Sequence, residues 1–204
     1  MRPVTEHTGR GVVLPRGDVD TDQIIPAEFC KRLTKSGYED TLFAAWRQDP
    51  DFVLNRPERA GASILVAGHN FGTGSSREHA VWALRDWGFA AVIATSFGDI
   101  FRRNAVKNGL LAVELPELAV AELSDWVDND PAFPVTVDLL ALQVRANGAR
   151  WPFTVEPRAR RLLLEGLDDI AVTLAKGDAV TAYELTRRPW LPRLGADQLA
   201  EVAP

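Results

Sequence analysis

Between Ala62 and Leu115 the chain alternates short unbroken apolar runs with stretches in which apolar residues recur every three or four positions. The runs Ala62–Ala67 (ASILVA), Ala91–Thr95 (AVIAT) and Leu110–Leu115 (LLAVEL) have the length and β-branched content of buried strands. The stretches between them, Glu78–Trp87 (EHAVWALRDW) and Asp99–Asn108 (DIFRRNAVKN), have helical spacing and stop at Gly88 and Gly109. Strands without polar alternation are covered on both faces, so the pattern predicts βαβαβ with parallel neighbours in an α/β fold. Upstream, a strand is expected over Gly11–Leu14, helical or loop-helix structure over Glu28–Trp46, and an irregular connection over Asp49–Gly61, which carries Pro50 and Pro57 and is a candidate flap. Downstream, Glu117–Val127 reads as a helix, Val135–Val155 as a hairpin turning at Asn147-Gly148, and Arg158–Lys176 as helix broken near Gly166. No internal repeat is present. The expected organisation is one domain over residues 1–186 and a Pro-rich tail over 187–204, with Pro189, Pro192 and Pro204 opposing regular structure.

Length changes this picture little, since 204 residues suffice for one sizeable core. Charge narrows the partners: a net charge of −5 offers no general attraction to nucleic acid or to an anionic membrane, so any anion site must be built locally from arginines. The N-terminal residues Met1–His7 lack an apolar signal core and no later run has the length of a membrane span, which predicts a cytoplasmic protein.

The residues with most chemistry lie where the first strand of the βαβαβ unit gives way to its helix: Phe71-Gly72-Thr73-Gly74-Ser75-Ser76-Arg77-Glu78-His79. Glycines let a ligand approach backbone N–H groups, and a helix N-terminus favours negative charge. Two readings are open for the serines. Ser75-x-x-Glu78 fits a capping box, in which Ser75 only satisfies a helix N–H; alternatively Ser75, Ser76 and Arg77 form an anion site with a proton acceptor. A phosphate-binding P-loop is excluded, because no Lys-Ser or Lys-Thr pair follows Gly74, and the dinucleotide fingerprint fails because Arg77 stands where its third glycine belongs. Arg77 itself opposes the helix dipole, a placement that makes sense if a carboxylate arrives to balance it. Asp18-Val19-Asp20-Thr21-Asp22 imitates a calcium loop but has Gln23 and Phe29 where Gly and Glu are needed, so it reads as an Asx-rich turn with Asp18 or Asp20 bonding backbone. A single cysteine, Cys30, and scattered histidines, His7, His69 and His79, offer no zinc spacing and too few thiolates for an iron–sulfur cluster. His79 is expected to pack beside the loop, and Cys30 to be a partly buried side chain rather than a nucleophile.

The segment from Gly72 to Leu111, together with Asp18–Ala27 (DVDTDQIIPA), Phe29–Arg32 (FCKR) and Leu163–Ile170 (LLEGLDDI), resembles the swivelling domain of the aconitase superfamily, and in detail the family of bacterial 3-isopropylmalate dehydratase small subunits. The resemblance implies a swivelling β/β/α domain with a parallel βαβαβ core and an added hairpin. It also implies a hydro-lyase that interconverts 2-isopropylmalate and 3-isopropylmalate in leucine biosynthesis. The family keeps its [4Fe-4S] cluster in a separate large subunit, so this chain is expected to hold no metal, to act on a small dicarboxylate, and to work only as a heterodimer with that cluster-bearing partner. By the same resemblance Ser75 is the general base, acting as an alkoxide. Ser76 and Arg77 hold substrate carboxylate, Asp22 lines the cleft, and Arg32 is a second substrate arginine whose alternative is a surface or interface place. Citraconate and homoaconitate hydro-lyases share the subunit design, and a free-standing anion-binding domain is the reading outside the enzyme class.

Overall fold

The computed structural model describes residues 1–188, 190 and 191, and Met1–Asp168 form one compact unit. Its sheet has seven strands in the order β4-β3-β2-β1-β5-β6-β7, where β1 is Glu6–Leu14, β2 Ile64–Ala67, β3 Ala91–Ala94, β4 Leu111–Glu114, β5 Pro134–Asp138, β6 Gln143–Ala146 and β7 Ala149–Pro152. Strands β1 to β4 pair in parallel, and β5 to β7 continue the sheet antiparallel from the other side of β1. The predicted βαβαβ unit is present, with α2 (Glu78–Trp87) between β2 and β3 and α3 (Asp99–Lys107) between β3 and β4.

Strand β1 is longer than the apolar run suggested. Its second half, Gly11–Leu14, pairs with β2, while Glu6–Arg10 pairs with β5. That first half alternates exposed and half-buried residues and carries no apolar run. It is held instead by the ladder, by the Thr8 and Thr136 hydroxyls at 2.8 Å and by an Arg145–Glu6 ion pair.

Both faces of the parallel strands are covered, and the period of two along a strand decides which residue serves which face. Val12, Leu14, Leu65, Ala67, Val92 and Ala94 join a core with Ala80–Leu84 of α2 and Phe101 and Ala105 of α3. Val13, Ile64, Val66, Ala91 and Ile93 face the other way, onto Ala119, Val120, Leu123 and Val127 of α4 (Glu117–Asn129) and onto Leu163 of α5 (Pro157–Glu165). Helix α2 ends as predicted at Gly88, whose φ of +116° suits glycine, with the Phe89 N–H donating to the Leu84 carbonyl at 3.0 Å.

Three expectations are corrected. Glu28–Trp46 forms no α-helix: it holds a 3₁₀ turn at Ala27–Lys31 and then irregular chain, anchored by the buried Tyr38, Leu42 and Phe43. The Asp49–Gly61 connection is not wholly irregular: it holds 3₁₀ turns at Val53–Asn55 and Pro57–Arg59, with Phe52 and Leu54 buried and the buried Arg59 donating to the Val127 and Asp128 carbonyls at 2.7 and 3.0 Å. The span Val135–Val155 contributes three strands, since β5 precedes the hairpin of β6 and β7; that hairpin turns at Asn147 and Gly148, both with positive φ. The break near Gly166 is present, with φ +67° at that residue. A second unit begins at Asp169 and contains α6 (Asp169–Leu174) and α7 (Gly177–Thr186). The predicted tail falls largely outside the described residues.

Candidate functional site

At the C-terminal edge of β2 the chain runs from Gly68 to Arg77 before α2 begins. In an open parallel sheet this edge is where ligands bind. The loop is fixed from two directions: the Phe71 N–H donates to Ser96 O at 3.0 Å, the Gly98 N–H to Phe71 O at 2.9 Å, and the Gly72 N–H to Val19 O at 2.7 Å. Gly72 is required twice over, by a φ of +73° and because a Cβ there would lie 2.2 Å from Cγ of Phe101. Gly74, at φ +86°, reverses the chain just before the serines.

The aspartate-rich segment supplies the opposite wall. Asp20 caps the short helix α1 (Thr21–Ile24): its carboxylate accepts from Gln23 N at 2.8 Å while its own N–H donates to Gln23 Oε1 at 2.9 Å. The predicted Asx turn therefore belongs to Asp20. Asp18 instead accepts from the Asn70 side-chain amide at 2.7 Å and lies 3.0 Å from Nε2 of His69, bonds that hold its carboxyl below the usual range. Placed this way, α1 sits against the glycine loop, with Thr21 N donating to Thr73 O at 3.0 Å and Thr21 Oγ1 to Ser75 O at 3.1 Å.

The capping-box reading of Ser75 is not what the chain adopts. Helix α2 starts at Glu78 with Arg77 as its N-cap and no side-chain cap bond. Glu78 is engaged elsewhere, accepting from the Asn108 amide at 2.7 Å. Both Ser75 and Ser76 are exposed, and among the described residues neither hydroxyl has an intrachain hydrogen bond. The backbone N–H groups of Gly74, Ser75 and Ser76 likewise find no intrachain acceptor among the described residues. Three backbone donors and two hydroxyls are thus left without intrachain partners, among the described residues, in an exposed stretch just before a helix.

Arg77 and Asp22, far apart in sequence, form an ion pair through Nη1 and Oδ1. Arg77 is 22% exposed and Asp22 57%, so the pair lies at a surface. The Asp22 bond is the main cause of an upward shift in the Arg77 pKa, so the guanidinium stays charged. The carboxylate that balances Arg77 against the helix dipole is therefore internal here, and the other N–H groups of its fork have no acceptor among the described residues. Arg32 has other partners. Its fork grips Asp40 at 2.8 and 2.7 Å and lies over the Phe29 and Tyr38 rings at 5.3 and 5.5 Å, so its partners all come from residues 29–40. His79 packs as expected, 4.7 Å from the Trp82 ring and edge-on to Tyr38 at 5.7 Å, and burial holds its imidazole below the ordinary range. Thr21 is the site residue that sequence reasoning passed over; a buried hydroxyl inside a T-D-Q helix start gives no local signal of its long-range bond.

A chain with one cysteine does not fit an iron–sulfur cluster, which takes several thiolates. Among the described residues no group of three or more His, Cys, Asp or Glu is gathered to hold a metal ion. What the arrangement can do is bind a carboxylate at Arg77 and the loop amides, and present a hydroxyl beside it.

Residues 1–118 match the aconitase C-terminal domain family. The chain is 60% identical over 192 residues to the 3-isopropylmalate dehydratase small subunit of Acidothermus cellulolyticus, covering 94% of this chain and 98% of that protein. Against the same subunit from Thermobifida fusca the identity is 55%, with the same coverage of both chains. Among solved structures, a 3-isopropylmalate dehydratase from Methanocaldococcus jannaschii superposes with a TM-score of 0.63 at 28% identity, over 88% of this chain and 99% of that one. With near-complete coverage at such identity, and with the fold in agreement, the chain belongs to the family of 3-isopropylmalate dehydratase small subunits.

Proposed function

We infer that the chain is the small subunit of a two-subunit hydro-lyase that interconverts 2-isopropylmalate and 3-isopropylmalate by dehydration and rehydration, the second step of leucine biosynthesis. The observation that carries its part in the chemistry is the loop from Gly72 to Arg77, where free hydroxyls and free amides stand beside a charged guanidinium. Dehydration breaks a C–H bond next to a carboxylate and a C–O bond on the neighbouring carbon; the C–H electron pair becomes the new π bond and hydroxide leaves. Ser75 is proposed to take the proton. A serine hydroxyl does not ionise unaided near neutral pH, but the helix N-terminus, the loop amides and Arg77 all favour negative charge there, and excluding water strengthens each effect. Ser76 and the unused edge of Arg77 are proposed to hold the substrate carboxylate, which places the carbon acid against Ser75. Asp22 orients Arg77 and lines the cleft, and Arg32 is proposed as a more distant substrate contact reached from the 29–40 segment.

Departure of hydroxide calls for a Lewis acid, and among the described residues no His, Cys, Asp or Glu cluster is gathered to hold a metal ion. The proposed source is a [4Fe-4S] cluster in the large subunit, with the active site formed between the two chains. A cytoplasmic location belongs to the same proposal; among the described residues, no helix is long and apolar enough to cross a membrane. The test is reconstitution with the large subunit, followed by assay on isopropylmalate and on citraconate. Turnover of isopropylmalate above citraconate supports the reading, and preference for citraconate moves the chain to another hydro-lyase of the same design.

A further inference from the structure

Thr21 is 1% exposed, yet its hydroxyl is used: it donates to the Ser75 carbonyl at 3.1 Å. The backbone N–H of the same residue donates to Thr73 O at 3.0 Å, so Thr21 clamps the loop on both sides of Gly74. Gly74 packs over this clamp, its Cβ position 3.4 Å from Cβ of Asp20 and 3.8 Å from Oγ1 of Thr21. The Ser75 carbonyl also accepts from Arg77 N at 2.8 Å, so the hydroxyl of Thr21 is not needed to keep that oxygen satisfied. Its effect is on direction. A trans peptide is planar, and its C=O and the following N–H point to opposite sides. With the Ser75 carbonyl drawn toward Thr21, the Ser76 N–H is turned away from Thr21, and it is one of the amides without an intrachain acceptor among the described residues. The same peptide plane limits where the Ser75 side chain can aim.

We propose that Thr21 is a positioning residue for proton transfer: by holding the Ser75–Ser76 peptide plane it aims the Ser75 hydroxyl and the Ser76 N–H at the bound substrate. The proposal rests on the reading of Ser75 as the general base. Thr21→Val keeps the branched shape and removes the donor, and Thr21→Ser keeps the donor and removes the methyl group. The experiment is steady-state kinetics of the enzyme reconstituted with the large subunit, for Thr21→Val, Thr21→Ser, Ser75→Ala and the double variant Thr21→Val with Ser75→Ala, with melting temperature and subunit association measured beside it. Thr21→Val is expected to lower kcat by about 10- to 100-fold, the scale of a small misplacement of reacting groups, with a much smaller change in KM. Thr21→Ser is expected to recover most of that loss. In the Ser75→Ala background the Thr21→Val change is expected to cost much less than in the parent enzyme, because the part that acts through the Ser75 hydroxyl is gone and only the part that acts through the Ser76 N–H remains.

Wild-type kcat in Thr21→Val beside an inactive Ser75→Ala overturns the Thr21 proposal alone. Near-normal turnover in Ser75→Ala overturns the reading of the base, and the Thr21 proposal with it. If Thr21→Val melts lower or fails to associate, the serine variant decides: recovered turnover supports the hydroxyl's role, whereas an equal loss in Thr21→Ser assigns the position to packing and overturns the proposal. A full additional loss in the double variant has the same meaning.

Discussion

Removing the Ser75 hydroxyl breaks no intrachain hydrogen bond among the described residues, and the N-cap position of α2 belongs to Arg77, not to Ser75. Ser75→Ala is therefore expected to leave the melting temperature and large-subunit association unchanged, while turnover of the assembled enzyme falls by at least about two to four orders of magnitude, the usual loss with a general base. Near-normal turnover would reduce Ser75 to a loop residue. Arg77→Lys asks a different question, because lysine keeps the charge but loses the planar fork. With Asp22 occupying Nη1 and the rest of the fork open, the arginine can hold its internal partner and a substrate carboxylate together; a lysine ammonium has no such two-sided geometry. The expected result is a fall in kcat together with a rise in KM, measured with a thermal melt as folding control. Unchanged kcat with a slightly higher KM would mean that Arg77 supplies only charge. The glycine loop leading into a helix was legible from sequence; the pairing of Arg77 with Asp22 was not, since no local pattern connects residues so distant along the chain.

At the scale of elements, two terminal features make contrasting predictions. Glu156 caps α5, accepting from Arg158 N at 2.9 Å and Ala159 N at 2.8 Å, and these bonds lower its pKa below the ordinary value. Between the folded and unfolded pKa values the unfolded chain binds more protons, so the cap's contribution is complete above the unfolded value and is lost as pH falls through the folded one. Glu156→Ala should therefore melt below the parent chain at neutral pH, and the gap should close in acid; a gap independent of pH would assign the loss to something other than the carboxylate. Gly72→Ala should destabilise by about 1 to 3 kcal/mol from overpacking on Phe101, beyond the strain of a positive φ. Gly148→Ala is the control: its φ is +81° but a Cβ there meets nothing within 4 Å, so only the conformational strain applies. Equal shifts in denaturation midpoint for the two variants would show that Phe101 gives way. The strands and helices of the βαβαβ unit were readable because their two faces impose distinct periods. The first half of β1 was not, because a half-exposed ladder leaves no apolar run, and neither was the region from residue 27 to 59, where Tyr38, Leu42 and Phe43 fill the core from irregular chain at no fixed spacing.

At the scale of the molecule, the placement of the loop determines what the chain can do without a partner. Its free amides, its two hydroxyls and the Arg77–Asp22 pair all lie at the surface, on the C-terminal edge of the parallel strands. An alkoxide needs a dry setting, because water both solvates it and weakens every charge that stabilises it; the exposed Ser75 lacks that setting in the isolated chain. The residues present also fail to gather a metal among those described, and the single thiol rules out a cluster held here alone. On the proposed reading one event would answer both deficits: docking of the large subunit over this edge would shield the loop and bring the Lewis acid to the substrate. The purified chain is thus expected to be colourless and inactive on isopropylmalate, and addition of the large subunit is expected to restore turnover. A sharper form of the test titrates a fixed amount of large subunit with this chain and follows the rate. Activity should rise to saturation at a fixed stoichiometry, and a chain carrying Ser75→Ala should compete for the same sites without supporting turnover. Measurable dehydration by this chain alone in metal-free buffer would remove the basis for a shared active site.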